Sequence, residues 1–428
     1  MSLTESYLQR MINHLQGPSA NRWIQAQRPH YTGCMREAID RKGMTALSGG
    51  HLATDFASGS VPALLPFFAA KFDLSYTLTA VLMLAALVSS SLMQPLFGLW
   101  SDRRGALWLL PAGIALAGVG TGLAAIAPNY GLVLVLVFIA GLGIAAFHPE
   151  GAKFAVFASG RKRASGMSLF NIGGNSGYAL GPIIVTPLVL WLGLGPGGLL
   201  AAIPVVVCSL AVFAVLPYLA RLRPERGPGS SVAEGKDDVR AMVILGGVIG
   251  LRSVAWFGLL TFVPLWVVSL GNSEADGNRK LSLMLVAGAV GTLLLGPVAD
   301  RVGLRRTLLV SQAVLAPMIV VFVLVGGIVG AIALIVVGIC VVGTFGITMV
   351  LSQMYLPRHV GMASGLSIGL AMGLGGIAAV ALGGVADAVD LRTALVASAF
   401  APLIGVVLCF FLPAPRPTVS VAAITAPT

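Results

Sequence analysis

The sequence predicts an all-α integral membrane protein, with twelve transmembrane helices in two pseudo-symmetric six-helix bundles. Three observations carry this. Of 428 residues 57% are hydrophobic and only 10% charged, with a mean hydropathy of +0.92, which leaves too little polar surface to enclose a water-soluble core. Apolar stretches of about 20 residues, the length a helix needs to cross the hydrocarbon layer, recur between short charged turns. Landmarks also return at a fixed spacing. The run Gly98-Leu99-Trp100-Ser101-Asp102-Arg103-Arg104-Gly105 reappears as Gly296-Pro297-Val298-Ala299-Asp300-Arg301-Val302-Gly303-Leu304-Arg305-Arg306, an offset of 198; the same offset carries Pro66 onto Pro264, and 199 carries Ser165-Gly166 onto Ser364-Gly365. The chain reads as an internal duplication.

The twelve segments begin near Leu47, Thr77, Ala106, Leu132, Ala164, Pro196, Ala241, Leu281, Thr307, Ile328, Met362 and Leu391. They divide the chain into a polar, basic N-terminal segment (1–46), a first bundle (47–219), a hydrophilic linker (220–240), a second bundle (241–413) and a tail (414–428). The first segment lacks the apolar core of a signal peptide. Leu8, Met11, Ile12 and Leu15 follow helical spacing, which suits a short interfacial helix, a loose tail or a start at Met35 or Met44.

A net charge of +11 could suggest a nucleic-acid partner, but the distribution of charge argues for topology. With the N-terminus inside, only Lys71, Arg279, Lys280 and Arg392 fall outside, and Lys153 and Arg252 lie within helices, which leaves 21 of the 27 basic residues on the inner side. That bias is the positive-inside rule, and it places both termini in the cytoplasm. Cys34, Cys208, Cys340 and Cys409 have no metal spacing; they read as small apolar fillers.

Within the helices, polar residues are few enough to take singly. Helix 1 carries His51, Thr54, Asp55, Ser58 and Pro62 on one face. An ionisable residue at membrane depth faces a cavity or a partner, so Asp55 is a functional candidate, the alternative being a permanently paired structural carboxylate. Helix 4 holds Phe147-His148-Pro149-Glu150-Gly151-Ala152-Lys153. Pro149 frees the carbonyl of Ala145. His148 and Glu150 point about 200° apart on an ideal helix, and Glu150 could simply neutralise Lys153 one turn on. In helix 5 Asn171, Asn175 and Tyr178 form one stripe and Gly173, Gly177 and Gly181 another. The glycines suit close packing, which leaves the polar stripe to offer hydrogen bonds to a substrate or to bridge neighbouring helices. Helix 7 buries Arg252, one residue from the position that the offset assigns to Asp55; across a pseudo-twofold axis the two charges are expected to approach one cavity. Gln353, Gly365, Gly369 and Gly373 continue this pattern of polar points and glycine faces in helices 10 and 11.

These residues resemble the major facilitator superfamily over roughly residues 45 to 413. Gly98-x-x-x-Asp102-Arg103 and Gly296-x-x-x-Asp300-Arg301-x-Gly303-x-Arg305-Arg306 match its loop 2-3 and loop 8-9 signature, and Gly177-Tyr-Ala-Leu-Gly181-Pro182 resembles part of its helix 5 antiporter motif without the trailing glycines. Phe147-His148-Pro149-Glu150, Asn171-Ile172-Gly173-Gly174-Asn175-Ser176-Gly177 and Tyr355-Leu356-Pro357-Arg358-His359-Val360-Gly361-Met362-Ala363-Ser364-Gly365 look like the fosmidomycin resistance group. The resemblance implies the major facilitator fold in a bacterial inner membrane and proton-coupled export of a small drug-like compound by alternating access. It implies a monomer that needs only lipid, protons and a small-molecule substrate. Met354 stands where an acidic residue is expected after Gln353.

The resulting expectation is a proton-driven antiporter with no enzymatic activity, cofactor, bound metal or nucleic-acid partner. Asp55, Glu150, His148 and His51 are the proton-coupling candidates; Arg252, Asn171, Asn175, Tyr178 and Gln353 the substrate contacts; and Gly98, Asp102, Arg103, Gly296, Asp300 and Arg301 the conformational motif. His51, Asp55, His148, Glu150, Lys153 and Arg252 are expected to converge near the inner leaflet. A carrier of metal ions or organic anions on the same fold is the competing reading, the metal form using His51, Asp55, His148 and Glu150 as ligands.

Overall fold

The structure, a computed structural model, describes residues 38–104, 106–160, 163–223 and 236–413. The possible interfacial helix near residues 8–24, most of the linker and the tail lie outside the described residues.

Among the described residues twelve helical spans are long and apolar enough to cross a membrane. In the first half they are α1 (Arg41–Phe72), α2 and α3 together (Tyr76–Leu92 and Gln94–Arg104), α4 (Leu109–Ile126), α5 (Tyr130–Ser159), α6 (Arg163–Leu192) and α7 (Leu194–Ala220). In the second they are α8 (Val239–Ser269), α9 (Glu274–Val302), α10 (Leu304–Val325), α11 with α12 (Gly327–Gly343 and Phe345–Tyr355), α13 (Val360–Ala388), and α14 with α15 (Leu391–Ser398 and Phe400–Phe411). The expected starts hold to within a turn or so at most helices. At α1 the helix begins six residues before Leu47, because Asp40 caps it by accepting from the Gly43 amide at 2.6 Å.

Side-chain caps recur at the other helix starts. Ser75, Asn129, Asp238, Ser273 and Asp390 each accept an amide of the turn that follows, and such a cap typically contributes about 1 kcal/mol. Gly193, Gly271, Gly303 and Gly326 end or separate helices in the left-handed region, where an L side chain would be strained.

Helices pack first within their own half. The glycine stripe of α6 lies against α1: a Cβ at Gly173, Gly177 or Gly181 would meet the backbone of Ser48, Leu52 or Gly59. Small residues therefore let two backbones touch, as the spacing predicts. In α13 the outcome differs. Gly369 and Gly373 face open space, and the close approaches run through Gly375, Gly376 and Gly383 instead.

The halves meet through α2 against α13 and through α6 against α9. Hydrogen bonds between them include those of Asp387 to the Tyr76 and Thr77 amides, Asn278 to the Ala63 carbonyl at 2.9 Å, and Ser91 to the Met372 sulfur at 2.6 Å. They lie from the middle of the bundle to the end remote from Asp40 and Phe411. At the end that carries Asp40 and Phe411, the hydrogen bonds of Asp40 to Tyr218 and Ala158 tie the first half to itself, and that of Asp238 to Tyr355 does the same in the second.

Candidate functional site

Three of the expected proton-coupling residues come together in the first half. His51 and Asp55 are one turn apart on α1, and His148 stands on α5 immediately before Pro149. The Asp55 carboxylate lies between the two rings, one oxygen 3.3 Å from His51 Nε2 and the other 3.2 Å from His148 Nε2. The Asp55 and His148 side chains keep 17% and 24% of their surface exposed, so the triad is not fully enclosed.

The other nitrogen of each ring settles the chemistry. His51 Nδ1 contacts the Phe170 carbonyl and His148 Nδ1 the Ile144 carbonyl, both at 2.8 Å. A carbonyl only accepts, so each Nδ1 carries its hydrogen and each Nε2 of a neutral ring presents a bare lone pair. Two lone pairs against a carboxylate repel unless a cation stands between them. Protonating Nε2 turns each contact into a charge-assisted hydrogen bond. The arrangement therefore has a proton-loaded form, with imidazolium on carboxylate, and an unloaded form made only of acceptors.

Neighbouring groups hold this geometry. Phe170 of α6 stacks on His51 with ring centroids 4.1 Å apart. Gly174, one turn further, is where a Cβ would fall 2.7 Å from an Asp55 oxygen and onto the His51 ring. Tyr178 lies within electrostatic range of Asp55 and is half-buried like Asn175, while Asn171 is exposed.

Asp55, Glu150 and Arg252 do not meet in one cluster, which corrects the expectation that Asp55 and Arg252 approach one cavity. Glu150 turns away from His148, as their angular separation requires, and pairs with Lys153 at 2.7 Å. Ser101 donates to Glu150 and accepts from Lys153. Glu150 and Ser101 are both buried. Arg252 is likewise not beside Asp55. It is 3% exposed and donates to the Thr344 hydroxyl at 2.6 Å, with Thr348 at 3.5 Å. Thr344 marks the break between α11 and α12. The 198-residue register places Arg252 and Asp55 at matching depth, but matching depth does not bring their side chains together. No carboxylate pairs with Arg252 among the described residues. Gln353, on α12, is half-buried.

The conformational motif occupies the end that carries Asp40 and Phe411. Gly98 packs toward Pro149, with a Cβ position 3.6 Å from the proline ring. Side chains of Asp102 and Arg103 lie outside the described residues. From the last turns of α9, Gly296, Asp300 and Arg301 lead to Gly303, and Asp300 and Arg301 are exposed. Arg305 docks within its own half, donating to the Cys409 and Phe410 carbonyls at 3.2 and 2.7 Å. Cys208, Cys340 and Cys409 are free thiols.

Sequence reasoning missed Phe170, Gly174, Ser101, Thr344, Thr348 and Asp387. Thr344 and Thr348 carried a signal, two hydroxyls at helical spacing in an apolar segment. The others depend on which helices touch. As for metals, among the described residues one His/Cys/Asp/Glu group could hold an ion: His51, Asp55 and His148, with ligand atoms within 4.8 Å of one another. Glu150, the fourth ligand that the metal reading names, is occupied elsewhere.

Comparison with known proteins agrees with this architecture. The family described as Major Facilitator Superfamily matches residues 47–380 and 253–426. The MFS-type transporter YfnC of Bacillus subtilis (strain 168) is 34% identical over 376 residues, covering 85% of this chain and 90% of that protein. The fosmidomycin resistance protein of Escherichia coli (strain K12) is 28% identical over 375 residues, covering 86% and 92%. A crystal structure of a bacterial homologue of the human lysosomal transporter Spinster, inward-facing and unoccupied, superposes with a TM-score of 0.70 at 13% identity, covering 88% of this chain and 97% of that one. It shares the fold.

Proposed function

Because the chain belongs to the major facilitator superfamily, we propose that this multi-pass bacterial inner-membrane protein is a proton-coupled exporter of a small organic compound. The observation that carries the coupling is the pair of Nδ1–carbonyl contacts of His51 and His148, from which their tautomer follows. With each Nδ1 held by a backbone carbonyl, the pair of rings around Asp55 takes up and releases protons at Nε2. Asp55 is the anchor of these protons, and His51 and His148 carry them. The carboxyls, imidazoles and phenol that face the site are Asp55 and His51 from α1, His148 from α5 and Tyr178 from α6. Glu150 serves as the partner of Lys153.

Asn175 and Tyr178, beside the triad, with Asn171, Gln353 and Arg252, are the proposed substrate contacts. A buried guanidinium with only hydroxyl partners suits an anionic or strongly polar part of a substrate. Asp102 and Asp300 act on conformation: when the end that carries Asp40 and Phe411 is closed, a carboxylate in these turns accepts from helix amides and pairs with arginine. The likeness to a fosmidomycin resistance protein supports drug efflux. The protein works as a monomer with both termini in the cytoplasm and needs no cofactor beyond the proton gradient.

The test is flux in proteoliposomes together with a susceptibility screen that includes fosmidomycin. A pH gradient should drive uphill movement of a resisted compound, and a protonophore should abolish it. Uphill movement that survives collapse of the gradient contradicts proton coupling.

A further inference from the structure

The triad also says what kind of group replaces the protons. In its unloaded form the site offers the two Nε2 lone pairs and the Asp55 carboxylate, and the one N–H of each ring is already given to Phe170 or Ile144. It can accept but not donate, and it carries a negative charge. An anion would meet like charge in a place where little water screens it. A group rich in N–H donors and positively charged meets the opposite, three acceptor side chains converging from α1 and α5 and not fully enclosed.

We propose that the deprotonated His51–Asp55–His148 site binds an ammonium group of the exported compound. This rests on the reading of the triad as the coupling site. Proton and ammonium are then alternatives: one displaces the other because both occupy the Nε2 and carboxylate lone pairs. No bond other than N–H···N and N–H···O is made or broken, and the displaced protons leave to water.

The experiment is titration calorimetry of a primary alkylammonium ion into the detergent-purified full chain between pH 5.5 and 8.5, repeated in two buffers of different ionisation enthalpy. The expected result is binding that releases protons and tightens by up to about tenfold per pH unit for each proton displaced, below the range in which the imidazoles are neutral. His148→Gln should remove one proton's share of that pH dependence and leave the share of His51, and Asp55→Asn should abolish binding while each protein remains monodisperse. The wild-type proton count needs no variant and stands even if one fails to fold. Four results would overturn the inference: no ammonium binding; binding independent of pH; binding that persists in Asp55→Asn; or stoichiometric zinc or cobalt taken up by the same site where ammonium is not. The same protein in proteoliposomes separates the two readings, since pH-driven uphill movement of a phosphonate without ammonium binding sinks this inference and leaves proton coupling intact.

Discussion

Asp387, in the last turn of α13, accepts hydrogen bonds from the backbone amides of Tyr76 and Thr77 at 2.8 and 2.9 Å, so a carboxylate of one half caps the first turn of α2 in the other. Ser75 supplies the third cap, to the Leu78 amide. Opening the halves at this end would strip two of these amides of their partners. Close by, Gly383 lets α13 lie on the backbone of Tyr76 and Thr77, and the Tyr76 ring meets Phe262 of α8 edge-on at 6.4 Å.

Asp387→Asn should therefore favour opening of the end remote from Asp40 and Phe411. Loss of charge on two amide hydrogen bonds at a helix N-terminus is worth about 1 kcal/mol, or roughly fivefold in the ratio of the two states. Distances between spin labels on the α1–α2 and α8–α9 turns would report it. An unchanged distribution would show that packing alone holds this end.

Gly174→Ala should disable the site without unfolding the protein. The added carbon would lie 2.7 Å from an Asp55 oxygen and against the His51 ring, so side chains and not backbone must yield. Transport should fall at least tenfold with a near-normal melting temperature, whereas Gly173→Ala and Gly177→Ala, which press on the backbone of α1, should lower the melting temperature. Equal melting losses at all three would make Gly174 a packing residue only.

Glu150→Gln should cost stability, because it leaves the Lys153 ammonium beside a neutral amide. A hydrogen bond to a charged group is worth roughly 1.5–3 kcal/mol. The double change Glu150→Gln with Lys153→Met should be milder than the single one, as expected for a charge pair. Both should retain pH-driven transport per folded molecule. If the double variant is stable yet uncoupled from the gradient, Glu150 carries protons after all.

Asp102→Asn should slow transport and leave equilibrium substrate affinity within a few fold if the motif acts on conformation, as proposed. Binding assays beside flux assays decide this, and a large loss of affinity would place Asp102 in the substrate path.

The helices were legible because the bilayer imposes one length on every span and the duplication gives two readings of each landmark. Their breaks at Met93, Thr344 and Ala399 were not read, although Pro95 and Pro402, two and three residues beyond the first and last, offered a signal; at Thr344 the apolar run continues through the break. His51, Asp55 and His148 could be named from the cost of burying them, and the 200° separation of His148 from Glu150 was enough to warn that the two would part. What could not be read was contact between helices. Arg252 shares the depth of Asp55, but its direction is set by Thr344 and Thr348 on a neighbour, and the role of Phe170 is played by its carbonyl, which every residue has.

The most direct test of the account is Asp55→Asn in proteoliposomes, with pH-driven uphill transport and gradient-free substrate exchange measured on the same preparation. Removing the carboxylate leaves the imidazoles of His51 and His148 without the anion that holds their protons. The account predicts that uphill transport is abolished, with exchange reduced only as far as loss of the ammonium contact weakens substrate binding. Uphill transport at the unmodified rate would contradict it.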